Sequence, residues 1–262
     1  MRINYLKFSI SILLITFVGT LFSCATDKAS LQIENSLPQD EFAYYSDSFD
    51  KMREDLWDRA GYLYREEQVQ NFKQADLRFA NGKLIIRTQT GSFSKGGLSS
   101  KYALRGDFDI QLDCRMDFIN WASGMDQLFS FGVYDKSLKI KQMSIALIGL
   151  SMGGGSNQGY LFSNCFVNGR RKKGNSQKTD NFNGSFRILR IGKHISTLYK
   201  KMGTAEWTQM NTFRVTDNDM LIGFQVRNFF GKRTTIRANH SISAEFDRLI
   251  IYAAHEIIEE EI

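Results

Sequence analysis

The sequence predicts an all-β protein: a two-sheet antiparallel β-sandwich of the jelly-roll type. Three observations carry that expectation. Phe108, Ile110, Leu112, Cys114, Met116 and Phe118 fall on one parity, and Asp109, Gln111, Asp113, Arg115 and Asp117 fall on the other. Successive strand side chains point to opposite faces, so residues 108–118 describe a long strand with one dry face and one wet face, as antiparallel sheets carry. Next, Asn81-Gly82 joins two apolar runs at 77–79 and 84–86 and supplies the two positive φ angles of a tight type I′ hairpin. Finally, there is no long helical periodicity and no internal repeat, while about a dozen short β-rich segments are punctuated by turn residues. A second layer must cover the dry face of 108–118.

Taken in order, residues 1–23 read as an export signal. Arg2 and Lys7 begin it, and the apolar run from Phe8 to Phe22 is too short for a comfortable membrane span. Leu21-Phe22-Ser23-Cys24 closes the segment and resembles the lipobox of bacterial lipoproteins, which implies Cys24 as the lipidated first residue of the mature chain. An ordinary secretory signal with an incidental cysteine is the alternative. A lipid anchor holds a soluble domain to a membrane without threading it through, so the expected address is the bacterial cell envelope. Residues 24–41 are polar, contain the only proline, Pro38, and read as a flexible tether. Residues 42–254 suit one large β-sandwich domain. Residues 255–262 are rich in glutamate and read as a solvated acidic tail.

Within the domain, residues 47–50 are expected as a first strand, and 52–70 as a short helix or an aromatic-rich loop. Residues 96–104 lead by a turn into the 108–118 strand. A loop at 120–126 precedes strands at 127–134, 143–150 and 160–167. Arg170-Arg171-Lys172-Lys173, between Gly169 and Gly174 and with Lys178 nearby, reads as a solvated basic loop. Two strands flank Gly192-Lys193-His194. Trp207 is placed in the core at the start of a further strand. Phe224 and Val226 occupy the apolar parity of a strand at 220–226, a loop follows at 228–231, and residues 246–252 close the fold.

The formal net charge is +6, of which Arg2 and Lys7 contribute two, so the exported domain is only mildly basic. That balance gives no ground for a nucleic-acid partner; an anionic glycan or a lipid headgroup could meet the basic loop. With Cys24 assigned to the anchor, Cys114 and Cys165 are left. They are either a disulfide pair or, as favoured here, two separately buried thiols. The three histidines show no metal-ligand spacing.

The order of these signals resembles the concanavalin A-like lectin/glucanase superfamily. The resemblance lies in Asp-Ser-Phe-Asp at 47–50, Asn-Gly-Lys-Leu at 81–84, Gly-Gly-Leu-Ser-Ser-Lys at 96–101 and Gly-Asp-Phe-Asp-Ile at 106–110. It continues in Phe-Arg-Ile-Leu-Arg-Ile-Gly at 186–192, Trp207, and Phe-Asp-Arg-Leu-Ile-Ile at 246–251. It implies two stacked sheets with one concave face, and lectins, carbohydrate-binding modules and hydrolases all use that fold. Laminarinase-like members carry Glu-x-Asp-x-x-Glu on one strand, and this chain has no such motif. Asp109, Asp113 and Asp117 are spaced about 13 Å apart along a strand, too far for a retaining pair at about 5.5 Å. They are expected as a ladder of cross-strand pairs. The resemblance also suggests a structural calcium between first and last strands, with Asp47, Asp50 and Asp247 as oxygen ligands. Sugar-gripping chemistry is expected from Trp121, Asp126 and Gln127 and from Arg227, Asn228, Phe229 and Phe230. Three functions follow: glycan binding without catalysis, polysaccharide hydrolysis by an unrecognised carboxylate pair, or assembly with an envelope protein.

Overall fold

The computed structural model describes residue 33 and residues 36–59, 72–91, 93–118, 125–136, 144–153, 158–230 and 240–259. Residues 1–24, expected as an export signal and its cysteine, and Trp121 lie outside the described residues, as do the side chains of Asp126, Phe229 and Phe230. One short helix, α1 (Gln39–Ala43), precedes β1 (Trp57–Asp58), β2 (Lys73–Gln74), β3 (Asp76–Phe79) and β4 (Leu84–Arg87). The long β5 (Ser94–Asp117) follows, then β6 (Met125–Asp135), β7 (Ile145–Met152), β8 (Gly159–Val167), β9 (Arg170–Arg171) and β10 (Asn175–Thr179). The chain continues through β11 (Asn181–Ile191), β12 (His194–Lys201), β13 (Thr208–Arg214), β14 (Met220–Phe230) and β15 (Ser243–Glu259).

These strands form two stacked layers of a jelly-roll sandwich. The first runs β10-β8-β7-β6-β14 and ends on the N-terminal half of β5; the second runs from β15 through the C-terminal half of β5 to β11, β12 and β13. Residues 94–104 of β5 pair with β14, and residues 108–117 pair with β11. Between them Gly106 takes φ +69°, and a Cβ there would meet the His255 ring at 3.1 Å, so glycine is needed where the strand passes from one layer to the other. The layers meet through aromatic side chains. Phe129 of the first packs on Phe186 and Phe246 of the second at 5.7 and 5.2 Å between ring centroids, and Phe224 packs on Phe246 at 4.8 Å.

The expected hairpin is present. Asn81 and Gly82 have φ of 55° and 66°, and Ala80 and Lys83 exchange both backbone hydrogen bonds. The dry parity of 108–118 is buried throughout. The wet parity is not uniformly wet: Arg115 and Asp117 are exposed, but Asp109 is only 2% exposed and Gln111 only 5%. The cause is Arg187 on β11, which binds Asp109 with two nitrogens and is covered by the rings of Trp207 and Tyr252. Trp207 therefore lies half-buried over the outer face of the second layer and not in the core.

Other expectations change at the ends. Only Asp47 of residues 47–50 pairs with a strand, through an isolated bridge to Leu249. Residues assigned to the tether already pack on the domain: Ile33 is buried and the Leu37 amide donates to Ala254. At the other end β15 continues through Glu256, whose carboxylate meets Arg105 at 3.0 Å. The acidic stretch as far as Glu259 thus belongs to the sheet. Residues 228–230 are the end of β14 and not a loop, because they remain in register with β6.

Candidate functional site

Directly opposed residues of neighbouring strands share a face, so the register decides which side chains meet above the first layer. Its outward positions include Leu128, Ser130 and Tyr134 from β6, Ile145, Leu147 and Ser151 from β7, and Tyr160, Phe162, Asn164 and Phe166 from β8. Gln225 and Arg227 of β14 complete the floor, opposite Ser130 and Leu128. All of these side chains except the buried Tyr134 border a cavity of about 650 Å³, with Arg171 and Asn175 on the β9–β10 side.

Its floor is apolar. Ala103, Tyr134, Ile145, Leu147, Phe162 and Leu221 form a buried cluster separate from the inter-layer core, with Leu128 and Phe166 against it. Leu147 packs over its ladder partner Gly132, where a Cβ would come within 2.3 Å of Leu147 Cδ2. Polar groups stand at defined points. Gln225 Nε2 donates to Ser130 Oγ at 3.1 Å, while the buried Gln225 Oε1 has no hydrogen-bond partner. Arg171 donates to Asn164 Oδ1 at 2.8 Å. No aspartate or glutamate is among the described residues that line the cavity. The arrangement offers apolar and aromatic surface for a ring face and amide or guanidinium groups for hydroxyls or anions.

Of the binding residues expected from sequence, Arg227 borders this cavity. Gln127 and Asn228 do not. They occupy the opposite parity and are buried, Gln127 with its amide 3.6 Å from Met152 Sδ and Asn228 donating to the His240 carbonyl. Asp126 and Phe229 are backbone partners in the β6–β14 ladder. Tyr160, Phe162, Asn164, Asn175 and Gln225 were not anticipated. On β8 both parities are largely apolar, so no dry–wet contrast marks Tyr160 and Phe162 as outward.

The remaining candidates are accounted for locally. Asp47 accepts from the Phe49 amide and the Trp57 indole, both at 2.7 Å, and Asp247 meets Lys83 at 3.1 Å. Asp50 accepts from the Ser48 hydroxyl at 2.6 Å. The three expected calcium ligands are thus turned to protein partners, and among the described residues no three acidic, histidine or cysteine side chains gather as a metal site would require. Asp113 accepts from Ser185, Gln111 and Arg248, and Asp117 meets Arg115, so the acids of β5 are a ladder of pairs on the outer face of the second layer. Asp109 holds the Arg187 guanidinium above its ordinary pKa, and burial raises the Tyr252 phenol. Cys114 and Cys165 are both free and buried. Burial pushes Cys114 well up and Cys165 up to about 12, so both are protonated thiols at neutral pH.

The chain shares its fold with solved carbohydrate-active proteins. A family 16 endo-glucanase from Bacteroides ovatus superposes with a TM-score of 0.51 at 12% identity, over 79% of this chain and 99% of that one. The kappa-carrageenase of Pseudoalteromonas carrageenovora, solved with an oligotetrasaccharide of kappa-carrageenan, gives 0.50 at 12% over 83% and 94%. The CBM2 module of the evolved Dit of Lactobacillus casei BL23 phage J-1 gives 0.51 at 13% over 83% and 96%. No protein-family model matches the chain, and a search of curated proteins finds no match. The likeness establishes a concanavalin A-like jelly roll.

Proposed function

We propose that this chain is a membrane-anchored, carbohydrate-binding domain that holds a glycan in the cleft of its first layer without cleaving it. The observation that carries the reading is the lining of that cleft. Tyr160 and Phe162 offer ring surface, Gln225 Oε1 awaits a donor, and the described lining has no carboxylate. Retaining and inverting glycosidases both need two carboxyl groups flanking the bond they cut. A sugar hydroxyl donating to Gln225 would satisfy a buried acceptor whose loneliness otherwise costs about 1–3 kcal/mol. The fold shared with glucanases and a carbohydrate-binding module supports a glycan as the ligand class. The lipobox-like segment ending at Cys24 supports attachment to an envelope membrane.

The test is affinity electrophoresis of the full-length chain through gels containing polysaccharides, with reducing-sugar release measured on the same substrates. Retardation without sugar release, abolished by Tyr160→Ala with Phe162→Ala, is the expected result. Release of reducing ends would establish a hydrolase instead, and retardation untouched by the double substitution would move the site elsewhere. Anchoring is read separately, as loss of radiolabelled acyl incorporation in Cys24→Ser.

A further inference from the structure

The basic hairpin after β8 also borders a second concavity, which shares no lining residue with the cleft. Asn168 and Gly169 take φ of 53° and 72°, so the chain reverses there and β9 returns along β8. Arg171 borders the cleft. Lys172 and Lys173 instead border a cavity of about 470 Å³ whose facing wall is the end of β13 and the residues after it, 212–216. Val167 and the buried Phe213 and Val215 give this cavity an apolar base. Arg214 lines it from β13, which packs beside β8 although the sequence places it far from the basic run. Two side-chain amides tie the walls together: Asn211 Nδ2 donates to the Lys173 carbonyl at 3.3 Å, and Asn175 Nδ2 to the Met210 carbonyl at 2.7 Å. The Lys172 amide donates to the Cys165 carbonyl at 2.8 Å and holds the hairpin to β8. Lys172, Lys173 and Arg214 are all exposed, and among the described residues none of the three side chains makes a hydrogen bond or ion pair. The acids near them are engaged elsewhere. Asp217 meets Lys193 at 3.1 Å and Asp219 meets Arg105 at 2.9 Å. Asp135 is buried behind Thr216, whose hydroxyl donates to it at 3.2 Å.

We infer that this cavity is a second binding site, one that takes the phosphate or sulfate group of an organic ester between Lys172, Lys173 and Arg214. It is independent of the glycan cleft. Three like charges held around one concavity repel one another, and an oxyanion among them replaces that repulsion with charge-assisted hydrogen bonds. The planar guanidinium of Arg214 can pair two N–H groups with two oxygens, while the lysine ammonium groups, on flexible stems, reach the remaining one. A carboxylate has only two oxygens to offer three converging cations, whereas a phosphate or sulfate ester has three. The apolar base suits the carbon part of such an ester, so the ester fits better than the bare ion.

The experiment is isothermal titration calorimetry of the full-length chain with glucose 6-phosphate, glucose 6-sulfate and inorganic phosphate, beside flotation with phosphatidylglycerol and phosphatidylcholine vesicles. The esters should bind more tightly than inorganic phosphate, and binding should weaken as sodium chloride is raised. Glucose should not displace them. Arg214→Gln should lower affinity about tenfold, and Lys172→Gln or Lys173→Gln a few-fold. Lys178→Gln, on β10 outside the cavity, should not change it, nor should Tyr160→Ala with Phe162→Ala in the cleft. The four cationic positions are exposed, so these variants keep the core intact, and circular dichroism checks their folding. Binding of the soluble esters supports a free ligand. A response confined to phosphatidylglycerol vesicles and lost in Arg214→Gln would support the same site with a lipid headgroup as the source. Silence toward every ester and both vesicles would overturn the inference. Weakening by Lys178→Gln equal to that by Arg214→Gln would overturn it in favour of general surface charge, and loss on the Tyr160/Phe162 double substitution would overturn it by moving the anion to the cleft.

Discussion

Asp109→Ala should destabilise this domain by about 2–4 kcal/mol, although the position reads as solvent-facing in the sequence. The carboxylate is 2% exposed, and the side chain of its partner Arg187 keeps 15% of its surface. Removing one member of a fully buried pair costs about 3–5 kcal/mol, because the survivor is left as an uncompensated charge. The residual exposure of Arg187 lowers that figure, as do the Trp207 and Tyr252 rings at 5.5 and 5.7 Å from its Cζ, which still face the cation. With a urea slope of about 3 kcal/mol per molar for a domain of this size, the midpoint should fall by about 1 M. Equilibrium unfolding followed by tryptophan fluorescence and far-ultraviolet circular dichroism reads the shift. The double variant Asp109→Ala/Arg187→Met should be more stable than the sum of the two single changes by at least about 1 kcal/mol, since neither charge is stranded. A single variant within about 0.5 kcal/mol of the parent, or strictly additive single changes, would refute the claim that this pair is interred and coupled.

Four further outcomes are expected. Gly82→Ala should cost about 1 kcal/mol in thermal unfolding, because the residue sits at φ +66° and a Cβ would lie 3.3 Å from Asp50 Oδ1. Phe186→Ala should cost about 3–5 kcal/mol, since the ring is buried where the two layers meet and stacks on Phe182 at 4.4 Å. The contribution of Cys165 to stability should be constant around neutral pH and fall above about pH 8.5: unfolded thiols ionise near that value, whereas burial keeps Cys165 protonated up to about 12, so the folded state binds more protons in that window. Urea midpoints at pH 7 and pH 10 test the sign, and Cys165→Ala should reduce the slope. Calcium and chelator should leave Tm unchanged, because Asp47 and Asp247 already have protein partners; a calcium-dependent rise would contradict that placement.

Period-two patterning decided much of this protein unaided. The alternation at 108–118 set one buried parity, Asn81-Gly82 set a hairpin, and the absence of helical periodicity set the class, because each depends on side chains only a few residues apart. The site was mostly beyond that reach. Residues 160–166 are apolar on both parities, so the chain alone does not say that Tyr160 and Phe162 face a cleft while Leu161 and Cys165 face the core. Asp109 looks wet because Arg187 and Tyr252, 78 and 143 positions away, come into view only when β11 and β15 pack beside β5. Gln127 and Asn228 looked like loop ligands until the β6–β14 register turned them inward. Local sequence determines which face of a strand is dry. Which strands become neighbours, and hence which side chains share one cleft, is decided by the long-range pairing of the folded layers.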